Sequence, residues 1–132
     1  MWDAGTAVPF LFHKMSQTKL LPFEESTLEF IPSEPGIYKV FSKKSFVRLS
    51  GKKTKIVYIG KANNLRDRVP SLWKGTKRSA KRRFDILLQN EKYKNLYVRC
   101  YYPYPNPKEK ERKVLEQFEK DYLELPPLNH NK

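Results

Sequence analysis

Two tyrosines stand close in sequence to cationic residues, at a spacing that could support acid–base chemistry. The tripeptides Gly36-Ile37-Tyr38 and Tyr58-Ile59-Gly60 each carry one tyrosine, and Lys61 and Arg68 follow the second tripeptide. A free tyrosine has a pKa of about 10, so only about one molecule in a thousand is ionised at pH 7. Nearby positive charge lowers such a pKa. Lys61 and Arg68 therefore carry the sign of charge that favours ionisation of a nearby tyrosine, which a tyrosine needs in order to act as a general base.

Positive charge is concentrated in the middle of the chain. The 132 residues carry 27 Lys and Arg against 14 Asp and Glu, a formal net charge of +13. Residues 39–83 hold sixteen basic residues and one acidic residue, a net charge of +15, so this segment accounts for the whole excess. Because each neutralised phosphate releases counterions, the distribution predicts a nucleic-acid partner. A solubilising surface and an anionic membrane are the alternatives, but no basic amphipathic helix with a Leu/Trp face is visible.

The basic run that begins at Lys74 is the densest part of this segment. We expect it to contact the phosphate backbone, which positions a protein on nucleic acid without selecting a sequence. The substrate-binding residues predicted in this run are Lys74, Lys77, Arg78, Lys81, Arg82 and Arg83.

Cysteine and histidine are too few for two common kinds of structural site. The chain has one cysteine and two histidines, which can form neither an internal disulfide nor a structural zinc site. No apolar run approaches the roughly 18 residues that a transmembrane helix needs, and residues 1–12 lack the basic start of a signal peptide. We expect a cytoplasmic protein with no membrane partner.

Three apolar runs predict the β-strands that must hold the tyrosines in place. They cover residues 36–41, 55–60 and 96–102, and the last alternates apolar and polar residues with period two. The first two runs are joined by residues 42–54, which predict an extended antiparallel hairpin. This connection contains four lysines and Arg48, so we expect it to contact DNA.

Helix signals follow the second and third strands. Asn63 or Asn64 can cap a short helix, although Pro70 should kink or end it. A second helix is predicted at residues 79–90, and Asn106-Pro107 predicts the start of a last helix, with proline at its first position. The order β-β-α-α-β-α predicts a small α+β domain.

The tripeptides and the residues behind them resemble the motifs of the GIY-YIG nuclease family. The stretch from Tyr58 to Arg68 is particularly similar to the nuclease module of bacterial nucleotide-excision repair. A glutamate on the late helix and a Pro-x-Asn ending follow in the family's order, at Glu116 and Pro127-Leu128-Asn129. The elements occur together and in order, which makes the resemblance specific.

The resemblance implies both a fold and an activity. It predicts a GIY-YIG domain over residues 34–132, with a central three-stranded antiparallel sheet flanked by helices, and an N-terminal extension at residues 1–33 packed on it. The implied enzyme is an endonuclease that hydrolyses DNA phosphodiester bonds, and some compact relatives act as homodimers. Several branches place a histidine just beyond the arginine, and this chain has none there. A catalytically weak nucleic-acid-binding module on the same fold is therefore the alternative hypothesis.

The resemblance also implies the central catalytic roles. One divalent cation, Mg²⁺ or Mn²⁺, would be held by Glu116, with Glu119 as the alternative ligand. Tyr38 would take the proton of the attacking water, and Tyr58 would orient the water or the phosphate. Arg68 would clamp the scissile phosphate through its planar guanidinium.

The remaining motif residues have supporting roles under the same resemblance. Lys61 joins the catalytic set as a second cation, and Gly60 allows the substrate phosphate to approach the backbone closely. Asn64 is expected to contact the substrate. Asn129, which its Pro-Pro-Leu-Asn context favours over Asn131, would brace the site from behind the last helix.

Overall fold

The structure, a computed structural model, describes residues 15–74 and 95–129. In chain order its elements are β1 Ser16–Gln17, β2 Leu21–Pro22, a 3₁₀-helix Glu25–Phe30, β3 Gly36–Val47, β4 Lys53–Ala62, α1 Leu65–Lys74, β5 Leu96–Tyr102 and α2 Pro107–Tyr122. Helices and an antiparallel sheet together make an α+β domain, which confirms the predicted class.

The strands form one antiparallel sheet in the order β1-β5-β3-β4, and β2 also pairs with β5. Its centre is the predicted set of three strands, in which Tyr38 of β3 lies opposite Gly60 of β4 and Cys100 of β5. Within the described part of the chain the sheet has five strands rather than three, because β1 and β2 add to its edge. These two strands have two residues each, too few for a period-two pattern to reveal them in the sequence.

The two faces of the sheet bury different side chains. Because successive residues of a strand point to opposite faces, Ile37 and Tyr38 lie on opposite sides of β3. Tyr38 is buried in the cluster that contains Leu65 of α1, whereas Ile37 is buried with Leu115 and Phe118 of α2. Each helix is therefore fixed by an apolar stripe against its own face of the sheet.

Helix α1 does not end at its proline. The helix continues through Pro70 to Lys74, so the prediction that this residue could end it is wrong. Pro70 is buried, and Ser71 Oγ donates a hydrogen bond to the carbonyl oxygen of Arg68 in the same turn. Packing and this local bond keep the chain helical despite the missing N–H of the proline. The helix predicted at residues 79–90 lies outside the described residues.

Helix α2 begins where the sequence predicts. The Asn106 side chain accepts a hydrogen bond from the backbone N–H of Glu109, and Pro107 occupies the first helical position. The helix closes at Leu123, which has a φ of 63° and donates its N–H to the carbonyl oxygen of Glu119 at 2.8 Å. Within the described residues, no helix combines the length and apolar composition needed to cross a bilayer.

The β3–β4 connection is anchored to the end of α2. Arg48 donates through Nη2 to the carbonyl oxygen of Leu125 at 2.6 Å and pairs with Glu124 at 2.9 Å. Its side chain is only 13 % exposed. The guanidinium of Arg48 therefore holds the hairpin to the segment that follows α2, and the contact of this hairpin with DNA stays a prediction.

Candidate active site

The two motif tyrosines lie on neighbouring strands and face the same side of the sheet. The ring centroids of Tyr38 and Tyr58 are 6.0 Å apart, with 37° between the ring planes. A Cβ atom placed on Gly60 would overlap the Cζ and hydroxyl of Tyr38. The missing side chain of Gly60 therefore makes room for the phenol of Tyr38, whereas we expected it to make room for the substrate phosphate.

The chemical state of Tyr38 differs from the prediction. The residue is 0 % exposed, and burial, followed by the neighbouring phenol of Tyr58, raises the pKa of Tyr38 well above 10. The charge of Arg68 lowers the pKa, as the sequence predicted, but does not offset the burial. The expectation that the net pKa of Tyr38 is lowered is wrong, because the sequence pattern did not show that the hydroxyl is fully desolvated.

Arg68 links the tyrosines to the last helix. Its backbone N–H donates to the carbonyl oxygen of Asn64 at 3.1 Å, and its guanidinium donates to Ser71 Oγ at 3.3 Å. The charge of Arg68 acts on the phenol of Tyr38 and also on the carboxyl group of Glu111. The charge of one guanidinium therefore reaches both a motif tyrosine and a carboxylate of α2.

The carboxylate that faces the cations is not the predicted one. Glu116 has a side chain 47 % exposed and pairs with Arg112, one turn earlier on α2, at 3.6 Å. Glu111 is partly buried, and burial raises the pKa of its carboxyl group while the charges of Lys61 and Arg68 lower it. Glu111 therefore lies within reach of the charges of Lys61 and Arg68, whereas Glu116 lies on the solvent side of α2.

The register of α2 explains this difference. Residues four apart on a helix share a face, so Glu111 lies one turn before the buried Leu115 and on the same side. Glu116 follows Leu115 directly and is rotated by about 100° from it. The signal was present in the sequence: Glu111 is followed at helical spacing by Val114, Leu115 and Phe118, whereas Glu116 is not followed by such a stripe.

A surface groove of about 400 Å³ lies beside Glu111. We call it the catalytic groove. Its lining residues are Lys61, Asn106, Lys108, Glu109, Glu111 and Arg112.

The groove offers a donor set that fits a hard divalent cation. Such a cation commonly takes one or two carboxylates and fills its other positions with water and substrate oxygens. Glu111 supplies one partly buried carboxylate beside Lys61, a cation that can hold a phosphate. Over residues 15–74 and 95–129, no three His, Cys, Asp or Glu side chains converge as a metal cluster.

Asn129 braces the second tripeptide. Its Nδ2 donates to the carbonyl oxygen of Ile59 at 2.8 Å, and its Oδ1 accepts the N–H of Ile59 at 2.9 Å. Ile59 lies between Tyr58 and Gly60 on β4, which is the last strand in the sheet order formed by residues 15–74 and 95–129. The side chain of Asn129 therefore pairs with the backbone N–H and carbonyl oxygen of Ile59, on the edge of the strand that carries the motif.

Two predicted substrate contacts are engaged within the protein. Asn64 Oδ1 accepts the backbone N–H of Arg66 at 3.0 Å and so caps α1, which is one of the two capping alternatives. Lys74 pairs with Glu25 of the 3₁₀-helix at 3.6 Å. Both side chains lie at the surface. The other predicted phosphate contacts, Lys77, Arg78, Lys81, Arg82 and Arg83, lie outside the described residues.

The chain is similar to one known family of catalytic domains and to solved structures from it. The model of the GIY-YIG catalytic domain matches residues 34–124. The chain is also similar to the magnesium-bound GIY-YIG N-terminal endonuclease domain of UvrC from Thermotoga maritima, at 21 % identity and a TM-score of 0.45, over 79 % of this chain and 92 % of that one. A cation-bound point mutant of the same UvrC domain gives 20 % identity and a TM-score of 0.44, over 79 % and 91 %. No curated protein matches the sequence significantly.

Proposed function

Because the chain belongs to the GIY-YIG family of catalytic domains and is therefore an endonuclease domain, we propose that it cleaves DNA with the help of one divalent cation. The observation that carries this proposal is the position of Arg68, whose charge acts on both Tyr38 and Glu111. A phosphate held by Arg68 would thus lie between a tyrosine pair and a carboxylate. These are the groups that hydrolysis of a phosphodiester needs.

Glu111 is the residue that would hold the cation. Mg²⁺ favours oxygen ligands, and the Glu111 carboxylate is the one on which both Lys61 and Arg68 act. A divalent cation bound there supplies electrostatic stabilisation of the phosphate and favours deprotonation of water. Glu116 and Glu119, the carboxylates predicted from the family pattern, are the alternatives that substitution must test.

The cationic side chains of the site act on the phosphate. Arg68 presents a planar fork that can bind two phosphate oxygens, and its attachment to α1 holds that fork in place before substrate arrives. Lys61 lines the catalytic groove and adds a second positive charge there. Together they bind the scissile phosphate and stabilise the charge that develops on it during attack.

The two tyrosines divide the proton chemistry according to their exposure. Tyr58 is 9 % exposed and can contact a water, whereas Tyr38 is 0 % exposed. We assign the general base to Tyr58, and Tyr38, which keeps its proton at neutral pH, positions Tyr58 and Arg68. This exchanges the two roles implied by the family resemblance. Attack of the activated water breaks the bond from phosphorus to the 3′ oxygen and leaves a 5′-phosphate and a 3′-hydroxyl.

Cleavage of supercoiled plasmid DNA tests the proposal. The protein is incubated with plasmid in Mg²⁺ and in EDTA, and nicked and linear products are separated on agarose. We expect cleavage only with Mg²⁺, and a loss of at least about 100-fold in Arg68→Ala, because one electrostatic contact to the transition state is removed. Arg68→Lys is the matched control, since it keeps the charge without the fork. Undiminished cleavage by Arg68→Ala would contradict the site.

One observation favours a second candidate, the catalytically weak binding module. The desolvated phenol of Tyr38 is held protonated, which removes one of the two tyrosines as a base at neutral pH. A binding module would retain plasmid in a mobility-shift assay and yield no nicked product with Mg²⁺ or Mn²⁺. The same preparation of protein therefore separates the two candidates.

A further inference from the structure

Three cations converge on the face of the sheet that carries α2. Lys39 of β3 and Arg99 of β5 are direct partners in the strand register, so two positive side chains project side by side from the same face. Lys110, from the first turns of α2, lines the same groove as Lys39, and the groove has a volume of about 400 Å³. The ammonium groups lie over aromatic rings, that of Lys39 4.9 Å from the centroid of Tyr101.

These charges lack acidic partners in the described part of the chain. None of the three cations forms an ion pair there, whereas Lys113, which lines the same groove, pairs with Glu109 at 3.4 Å. The groove contains one carboxylate, Asp121, which accepts a hydrogen bond from Gln117 at 2.9 Å. Within residues 15–74 and 95–129 the buried Nε of Arg99 has no hydrogen-bond partner.

This arrangement is unfavourable in the free protein. Like charges that face each other across neighbouring strands destabilise a sheet, and a buried donor without an acceptor costs free energy. The pKa of Lys39 is lowered first by burial and then by the charges of Lys110 and Arg99, so repulsion among the three cations contributes to this shift as well. A bound anion would reduce both penalties, because it offers acceptors to Arg99 and negative charge to both lysines.

We propose that Lys39, Arg99 and Lys110 form a second phosphate-binding site, which takes a backbone phosphate of the nucleic acid outside the scissile position. The phosphate accepts from Arg99 Nε and lies between the two lysine ammonium groups. The nucleic-acid part of this inference rests on the proposed function. Lys110 and Glu111 are consecutive, so the second site and the catalytic groove lie on two sides of the first turns of α2. A nucleic acid that crosses these turns can contact both.

Salt-dependent DNA binding tests the site without cleavage. A fluorescein-labelled duplex is titrated in EDTA with wild type, Lys39→Met, Arg99→Gln and Lys110→Gln over a range of NaCl concentrations. Loss of one phosphate contact should reduce the magnitude of the slope of log affinity against log salt by about 0.9. Between 1 M and 0.1 M salt, the affinity of such a variant should therefore rise on the order of 8-fold less than that of wild type.

Lys113→Gln is the matched control, since it removes one charge from the same groove and helix but from a lysine already paired with Glu109. We expect it to change the affinity less than about twofold. Lys39→Met keeps the aliphatic stem and removes one of two facing charges, so its midpoint of thermal unfolding should equal or exceed that of wild type. A variant that binds less well without melting earlier has lost a ligand contact and not its fold.

The side-chain Nε–H signal of Arg99 in a ¹H–¹⁵N NMR spectrum separates the sources of phosphate. We expect both inorganic phosphate and the DNA duplex to shift it. If the three variants bind DNA like Lys113→Gln while wild type binds and cleaves, the second site is refuted. If phosphate shifts the signal and DNA does not, the nucleic-acid assignment is wrong. If wild type cleaves no DNA with any divalent cation, the proposed function fails, and the phosphate titration still decides the anion site.

Discussion

Replacement of Asn129 by alanine tests whether the motif strand depends on its brace. The substitution removes two hydrogen bonds. Nδ2 of Asn129 no longer donates to the carbonyl oxygen of Ile59 at 2.8 Å, and Oδ1 no longer accepts from the backbone N–H of Ile59 at 2.9 Å. At a net value of about 0.5–1.5 kcal/mol for each bond, the free energy of unfolding should fall by about 1–3 kcal/mol. For 132 residues, this corresponds to a decrease of about 4–11 °C in the midpoint of thermal unfolding.

Circular dichroism during heating measures this shift, and Asn63→Ala, at an exposed asparagine two residues before α1, is the control. We expect the control to melt within about 1 °C of wild type, because it removes no buried contact. Because Ile59 lies between Tyr58 and Gly60, Asn129→Ala should also cleave DNA more slowly at a temperature where it is fully folded. A variant that melts with wild type and cleaves at the wild-type rate would refute the bracing role.

Three further outcomes follow from the contacts of the site and its supports. Gly60→Ala should lower the free energy of unfolding by about 1–3 kcal/mol or more, because its new methyl group overlaps Tyr38, and most of this loss should vanish in a Tyr38→Leu background when both are measured by urea titration. Arg48→Ala should cost about 1–3 kcal/mol in the same assay, because it leaves Glu124 without its ion-pair partner and removes the bond to a carbonyl oxygen. The pKa of Glu111 is raised above 4.5 in the folded state, so the folded chain binds this proton more tightly than the unfolded chain, and the stability that the group contributes falls as pH rises above 4.5. Glu111→Gln should therefore gain stability relative to wild type as pH rises, which thermal unfolding in the absence of divalent cations measures.

Each of these outcomes has a result that would contradict it. An additive Gly60→Ala and Tyr38→Leu pair would show that the two side chains do not overlap. Lys52→Ala is the exposed hairpin control for Arg48→Ala, and equal effects of the two would show that the ion pair carries no stability. A stability difference between Glu111→Gln and wild type that shrinks as pH rises would reverse the sign expected from burial.

Local signals in the sequence predicted most of the fold. The three long strands contain the predicted apolar runs, although β3 and β4 extend beyond them into the connection at residues 42–54. The Asn106-Pro107 pair marked the start of α2 because capping and the fixed φ of proline act within one turn. The match to the family model confirms the resemblance that the two tripeptides carried. The strands β1 and β2 escaped prediction because their partner, β5, lies some 75 to 86 residues away in the chain, and pairing over that distance leaves no local pattern.

The site shows where sequence spacing stops being sufficient. Tyr38, Tyr58 and Arg68 were predicted together because their motif is short and lies on adjacent elements. Glu116 was predicted from the order of the family's motifs, but the direction of a helical side chain depends on which face of α2 is buried. That face is set by Leu115, and it directs Glu111 toward the cations. The desolvation of Tyr38 was equally invisible, since it results from packing of the whole sheet against α1.

The proposed cleavage mechanism depends most directly on which carboxylate of α2 serves the reaction. Cleavage of supercoiled plasmid is therefore measured at a series of Mg²⁺ concentrations for wild type, Glu111→Gln and Glu116→Gln. We predict that Glu111→Gln loses at least about 100-fold in rate, because the carboxylate that would hold the divalent cation beside the reacting phosphate is removed. Glu116→Gln, which breaks only an exposed ion pair with Arg112, should stay within about twofold of wild type. Loss of cleavage in Glu116→Gln with full activity in Glu111→Gln would contradict the site proposed for this domain.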